Sequence, residues 1–537
     1  MTRERLYLFD TTLRDGAQTT GVDFSLADKR RIAAVLDGLG IDYIEGGFPG
    51  ANTTDTAFFD SPPNFETATF TAFGMVKRAG RSVGNDPGLQ AVLTSKAGAI
   101  CLVAKAWDYH VRVALGITNE ENLEGVAQSM RAIVAGGREA MIDCEHFFDG
   151  YKANRAYALS VARTAYEAGA RWVVLCDTNG GTLPHEVERI VADVAKVVPG
   201  LHLGIHTHND TENAVANTLM AVRSGARQIQ GTLNGIGERC GNANLTSVIP
   251  TLLLKSEFAD YFETRVTPER LFTLSHASRV LDEVLNRASD RHAPYVGESA
   301  FATKAGIHAS ALVKEPETYE HVPPESVGNT RRLLVSAQAG RSNVLATLAR
   351  LGIAAGKDDP RLATLLEAVK TREAAGYSYE AADASFELLA RRTLGTVPQY
   401  FTVDSFRVMV ERRHNALGEL VTVSEASVKV HIAGEADLLW SVGEGNGPVN
   451  ALDQALRRDL GRYQKHIKDV ELIDYKVRIL TGGTEAVTRV LAESHDTVTG
   501  ERWVTVGVSP NIIDASFEAL LDAINFKLLR DQATIAG

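Results

Sequence analysis

Two segments of the chain carry residues that could do chemistry together. One reads Phe9-Asp10-Thr11-Thr12-Leu13-Arg14-Asp15-Gly16-Ala17-Gln18 and the other, far downstream, reads His206-Thr207-His208-Asn209-Asp210. Alternate side chains of an extended strand share a face, so His206 and His208 can aim two imidazoles at one ion. Asp15 offers a carboxylate ligand, and Arg14 places a permanent cation beside it. Together they describe a divalent-metal site suited to carbonyl chemistry, with a polarised oxo-acid as guest. Alone, His206-x-His208 fits a polar strand end with one histidine satisfied in the core equally well. Convergence with an aspartate after another strand favours the ion, and mixed nitrogen and oxygen ligands suit zinc, manganese, cobalt or magnesium.

Such convergence needs a scaffold. Short apolar runs alternate with helix-compatible segments at Leu6–Asp10, Tyr43–Gly46, Thr69–Phe73, Ala99–Ala104, Ala140–Cys144, Trp172–Cys176, His202–Thr207 and Gln228–Leu233. Helices are predicted between them, for example from a Ser25 cap to Leu39 and from Pro184 towards Val198. Eight strands alternating with helices predict an α/β fold, a (β/α)8 TIM barrel, whose chemistry sits on the loops after the strands. The polar residues obey that rule. Arg14 and Asp15 follow the first run, Glu45 ends the second, Glu145 follows the fifth, and Asp177-Thr178-Asn179 follows the sixth. After the eighth comes Asn234-Gly235-Ile236-Gly237-Glu238-Arg239-Cys240-Gly241-Asn242, where backbone could approach a phosphate-bearing tail.

Each candidate also has a plainer role open to it. Arg14 could stabilise an oxyanion on the guest, or merely pair with Asp10 or Glu45 as scaffolding. Glu145 could act in proton transfer, or stand as a surface carboxylate or as a group that orients the ligands from behind. Thr178 could donate to the guest's carboxylate or cap a strand-end turn. His308, in Lys304-Ala305-Gly306-Ile307-His308-Ala309, is read as a loop histidine able to serve as an acid–base group.

The chain has 537 residues, 45% hydrophobic and 23% charged, with a net charge of -11, which suits a globular protein and argues against a nucleic-acid partner. The start, Met1-Thr2-Arg3-Glu4-Arg5, has no apolar leader pattern and no run is long enough for a membrane span, so a cytoplasmic protein is expected. Cys101, Cys144, Cys176 and Cys240 lie far apart and are read as reduced thiols, mostly in the core.

Three domains are expected: the barrel over 1–265, a helical linker or lid region over 266–398, and a C-terminal α+β module over 399–537. The last contains a repeat. Trp440-Ser441-Val442-Gly443 leading to Ala451-Leu452-Asp453-Gln454-Ala455-Leu456 is echoed by Trp503-Val504-Thr505-Val506 leading to Ala515-Ser516-Phe517-Glu518-Ala519-Leu520. A duplicated β-rich unit ending in a helix reads as a regulatory sensor module or a dimerisation domain.

These motifs resemble the family of metal-dependent barrels that includes 2-isopropylmalate synthase and homocitrate synthase, and the resemblance runs over nearly the whole chain. It rests on Asp10–Gly16, on His206–Asp210 and on Gly235-x-Gly237-Glu238-Arg239-x-Gly241-Asn242, while Glu45–Asn52 and Glu145–Gly150 look most like the branch that makes citramalate from acetyl-CoA and pyruvate. The resemblance implies that Asp15, His206, His208 and Asn242 ligate the divalent ion and that Arg14 and Thr178 hold the oxo-acid. It places His308 and Tyr319 near enolisation, reaching a neighbouring subunit's barrel in a homodimer. It also implies acetyl-CoA as second substrate and a branched-chain amino acid, isoleucine, as effector of the C-terminal module. Many relatives carry Ser or Tyr two residues before the strand-five glutamate, where this chain has Asp143 and then Cys144, beside the expected oxo-acid pocket. Rival readings are 2-isopropylmalate synthesis from 2-oxoisovalerate, a retro-reaction lyase, and a catalytically silent amino-acid sensor.

Overall fold

In the computed structural model, which describes residues 3–304, 306–333, 341–356, 358–395, 397–414, 416–482 and 486–534, the eight apolar runs become one closed parallel barrel. Its strands are β1 (Tyr7–Asp10), β2 (Tyr43–Glu45), β3 (Thr69–Met75), β4 (Ala99–Lys105), β5 (Glu139–Glu145), β6 (Trp172–Asp177), β7 (Leu203–Thr207) and β8 (Gln228–Gly231). β8 pairs with β1 and closes the ring, with Phe9 opposite Gln230. Helices cover the outside, and several of them start on a side-chain cap. Ser25 accepts from the Asp28 amide while the Asp28 side chain accepts from the Ser25 amide, so α1 (Leu26–Leu39) begins with two of its orphan donors satisfied.

The barrel is filled rather than hollow. Phe9, Tyr43, Ala99, Cys101, Met141, Trp172, Val174 and Cys176 form its interior cluster. Side chains alternate along a strand, so Glu45 and Asp143, two residues beyond Tyr43 and Met141, point the same way one layer nearer the mouth. Cys101, Cys144 and Cys176 are buried free thiols, and Cys240 is exposed. Among the described residues no helix is long and apolar enough to cross a membrane.

The chain divides into two compact units. The first comprises residues through Phe301 together with Glu320–Arg331, and the second comprises Ala302–Tyr319 and everything from Arg332. The stretch 266–398, expected as one linker, is shared between them for a physical reason. Helix α2 (Leu274–Val284) lays its apolar face along α1, where Arg31 and Glu283 pair at 2.7 Å. Helix α3 (Asp383–Thr393) instead buries Phe386, Leu388 and Leu389 in the second unit, among Val506, Trp503 and Phe526.

The second unit holds two three-stranded antiparallel sheets. One is β9 (Phe401–His414), β10 (Leu420–Ile432) and β11 (Leu438–Gly445), followed by α4 (Pro448–Arg458). The other is β12 (Val470–Ile479), β13 (Thr488–Asp496) and β14 (Arg502–Ser509), followed by α5 (Ile512–Arg530). The repeat is therefore real, but its strand register is one residue off the sequence echo. The Ser441 hydroxyl donates to the Ala455 carbonyl at 2.7 Å and the Thr505 hydroxyl donates to the Ala519 carbonyl at 2.7 Å, which makes those two hydroxyls equivalent. Trp440 then matches Val504, not Trp503, and a one-residue slip changes faces: Trp440 is 68% exposed, whereas Trp503 is buried.

Candidate metal centre at the barrel mouth

The loop after β1 is wound around two threonines. The amides of Arg14, Asp15 and Gly16 all donate to the Thr11 carbonyl, at 3.1, 2.9 and 3.1 Å. The Thr11 hydroxyl donates to Glu45 at 2.6 Å, while the Thr12 hydroxyl donates to Asp10 at 2.9 Å and accepts from the Leu233 amide at 2.8 Å. Each threonine thus ties the loop to a neighbouring strand, and the turn projects Arg14 and Asp15 over the barrel axis.

The loop after β8 is pinned from the other side. The Asn209 amide donates to the Gly241 carbonyl at 2.9 Å, and His208 pairs with Asn242 in an isolated bridge. Glycine is needed here for close approach. A Cβ at Gly237 would fall 2.1 Å from Asn242 Nδ2, and one at Gly241, where φ is +88°, would fall 2.0 Å from the Gly235 carbonyl oxygen.

These loops bring the expected ligands together. Asp15, His206 and His208 offer ligand atoms that all lie within 4.8 Å of one another. His206 Nε2 is 3.6 Å and His208 Nε2 4.0 Å from Asp15 Oδ2, and the two Nε2 atoms are 3.3 Å apart. Bonds of about 2.1 Å to a shared ion set donors about 3–4 Å apart, so the spacing fits. Asn242 Nδ2 donates to Asp15 Oδ1 at 3.1 Å, and Asn242 Oδ1 is buried with no hydrogen-bond partner among the described residues, an acceptor that a cation would satisfy.

Electrostatics favours the same occupant. Burial pushes the His206 pKa down to about 3 and lowers that of His208, with Asp15 opposing, so both rings are neutral near pH 7 and have lone pairs to give. Burial resists ionisation of Asp15, yet the charge of Arg14, aided by the two histidines and the Asn242 hydrogen bond, holds its carboxyl well below the usual range.

Arg14 sits among carboxylates. Its Nε donates to Glu45 at 2.7 Å, one terminal nitrogen donates to Asp15 at 3.0 Å, and the other stands 3.9 Å from Asp143, with the guanidinium 4.1 Å from the Phe73 ring centroid. Burial opposes its charge, but Glu45, Asp15 and Asp143 raise its pKa above the ordinary value. Burial and the nearby Glu45 push Asp143 up to about 7, against the pull of Arg14. Beside Arg14 opens a cavity of about 500 Å³, walled by Leu13, Phe48, Asn52, Asp55 and Phe73, so the Glu45–Asn52 stretch shapes the approach.

Thr178 and Glu145 stand on the same rim. The Thr178 hydroxyl accepts from the His146 amide at 2.8 Å and its carbonyl accepts from Arg239 at 2.6 Å, while Glu145 is ion-paired with Lys105. His308 and Tyr319 belong to the second unit, stacked on each other with centroids 4.2 Å apart. His308 lies in a helix, Gly306–Lys314, and not on a loop, because Ala309 and Leu312 one turn apart bury a common face.

Sequence reasoning missed Gln230. It is fully buried on β8, hydrogen-bonded to both His206 and Asp143. The alternation Gln228-Ile229-Gln230 in a strand with both faces covered was its signal, since a buried amide needs partners.

Comparison with known proteins adds the family. The HMGL-like family matches residues 5–275, a homocitrate synthase post-HMGL domain-like family matches 295–375, and the LeuA allosteric (dimerisation) domain matches 380–528. The chain is 47% identical to the (R)-citramalate synthase of Aquifex aeolicus, over 98% of this chain and 99% of that protein. It is 49% identical to that of Streptomyces coelicolor, over 98% and 97%. A probable 2-isopropylmalate synthase of Methanopyrus kandleri is 33% identical, over 97% and 98%.

Proposed function

Because the chain belongs to the family of (R)-citramalate synthases, we propose that it condenses acetyl-CoA with pyruvate to give (R)-citramalate and CoA. The observation that carries this reading is the buried Asp15–His206–His208 cluster with Arg14 beside it. Asp15, His206, His208 and Asn242 would hold a divalent ion, manganese, magnesium, zinc or cobalt, which when bound would supply Lewis-acid polarisation of an oxo-acid's ketone. Arg14 meets the negative charge that develops on the pyruvate keto oxygen as the carbon–carbon bond forms. Its three carboxylate neighbours and the Phe73 ring keep that fork fixed, so little reorganisation accompanies the step.

Thr178 donates its hydroxyl hydrogen to the pyruvate carboxylate, and Asp143 closes the oxo-acid pocket. A base removes a proton from the acetyl methyl group, the enolate attacks C2 of pyruvate, and hydrolysis of the thioester releases CoA. Glu145 and the stacked His308–Tyr319 pair serve that proton transfer, the pair acting from the second subunit of a homodimer. The C-terminal module binds isoleucine and lowers activity, a reading supported by its match to an allosteric and dimerisation domain. Three buried free thiols suit the reducing cytoplasm.

Thiol release from acetyl-CoA, measured with pyruvate, 2-oxoisovalerate and 2-oxoglutarate, tests the reading. Pyruvate should give the highest kcat/KM. Preference for 2-oxoisovalerate would make the protein a 2-isopropylmalate synthase, and no thiol release with any of the three would reject condensation.

A further inference from the structure

Gln230 reaches in two directions inside the barrel. Its Nε2 donates to Asp143 Oδ1 on β5 at 3.0 Å, and its Oε1 lies 3.0 Å from His206 Nδ1 on β7. All three residues are buried, Gln230 completely, so the protein must supply their partners. We propose that Gln230, steered by Asp143, is the positioning residue that sets the tautomer of His206.

An amide can be turned over, and turning it exchanges acceptor for donor. Ionised Asp143 removes that freedom, because a carboxylate can only accept. Its Oδ1 accepts from the Cys101 thiol at 3.3 Å as well as from Gln230, which fixes the Gln230 NH2 group towards Asp143 and the Gln230 oxygen towards His206. An oxygen can only accept, so His206 carries its hydrogen on Nδ1 and keeps a lone pair on Nε2, the atom facing Asp15 and His208. The reverse amide would put the hydrogen on Nε2 and block ligation. His208 has no such support, since its Nδ1 is buried without a partner among the described residues. The two histidines are thus unequal, with His206 preset and His208 free to adapt.

This inference rests on the metal reading above, and the test separates the two. Metal-stripped full-length protein is titrated with Co²⁺, followed by calorimetry and by the visible absorption of the bound ion. Gln230→Leu fills the space but offers no acceptor, and should weaken Co²⁺ binding about 10- to 100-fold, the scale for loss of an outer-shell partner. Gln230→Glu keeps an acceptor with no NH2 group to turn over, and should bind Co²⁺ near the parent value. Asp143→Ala should weaken binding in the parent but not in the Gln230→Glu background. Parent-like binding by Gln230→Leu would overturn the proposal, as would weak binding by Gln230→Glu or an equal effect of Asp143→Ala in both backgrounds. If Gln230→Leu does not fold, the other two variants decide the question. The control is His206→Ala: parent-like Co²⁺ binding there means that the metal site itself is wrong, whereas weak binding there with parent-like Gln230→Leu means that only the relay is.

Discussion

The Nε2 atoms of His206 and His208 lie 3.3 Å apart, each within 4.0 Å of the Asp15 carboxylate. With His206 holding its hydrogen on Nδ1, the hydrogen of that contact must come from His208, whose Nδ1 is left bare. A bound divalent ion would relieve this arrangement, because each imidazole would give it a lone pair and the His208 hydrogen could sit on Nδ1. Chelation should therefore abolish thiol release and lower the unfolding midpoint, and Mn²⁺ or Co²⁺ should restore both. His206→Ala should show neither response, and a chelated parent with full activity would sink the site.

Arg14→Lys tests geometry against charge. Three nitrogens of the guanidinium face three different carboxylates, with a ring beneath, which one ammonium cannot reproduce. The variant should lose about 2–4 kcal/mol of transition-state stabilisation, the scale for one lost oxyanion donor, read as a fall in kcat with little change in metal content. Near-parent turnover would leave Arg14 as scaffolding for Glu45 and Asp15.

Asp10 gives a pH signature outside the ligand set. Burial raises its carboxyl from an ordinary 3.8 to about 7, although hydrogen bonds from Thr12 pull the other way. A folded pKa above the unfolded one means that the native state binds the extra proton, so this group's contribution is complete below about pH 4 and is lost as pH rises through 7. The histidines and Asp15 have the opposite sign, so the informative quantity is the difference between parent and Asp10→Asn. Calorimetric midpoints should show the variant gaining on the parent between pH 4 and 8, by up to about 4 kcal/mol. A difference independent of pH would mean that Asp10 titrates normally.

How much of this could be read in the sequence depended on the range of the interactions. All eight barrel strands were legible because apolar runs and helix caps are local, with ends shifting by a residue or two. The metal cluster was legible because Asp15, His206 and His208 sit at strand ends, where the fold forces convergence. Gln230–Asp143 was not, since the alternation around Gln230 marks a buried amide but nothing local names its partner on β5 across the interior. Trp440 and Trp503 share a residue type but not a register position, and only the Ser441 and Thr505 hydroxyl contacts fix the alignment. The helix around His308 was hidden by the glycine and prolines that flank it.

That corrected register yields the last prediction. Gly443 and Gly507 become equivalent, each lying where its sheet meets its helix. A Cβ at Gly443 would stand 2.4 Å from the Ala455 nitrogen, and one at Gly507 would stand 1.9 Å from the Ala515 carbonyl oxygen. Both obstacles are backbone, so Gly507→Ala must push α5 away from β14, an overpacking that costs about 1–3 kcal/mol. If isoleucine binds this duplicated module and two states of it differ in affinity, the distortion should weaken inhibition while leaving the barrel's metal untouched. The measurements are inhibition of thiol release by isoleucine in parent and variant, Co²⁺ binding in both, and the unfolding midpoint. Unchanged inhibition together with a lowered midpoint would move the effector site off this sheet and helix. Indifference of the parent to isoleucine, leucine and valine alike would leave the module as a dimerisation element alone.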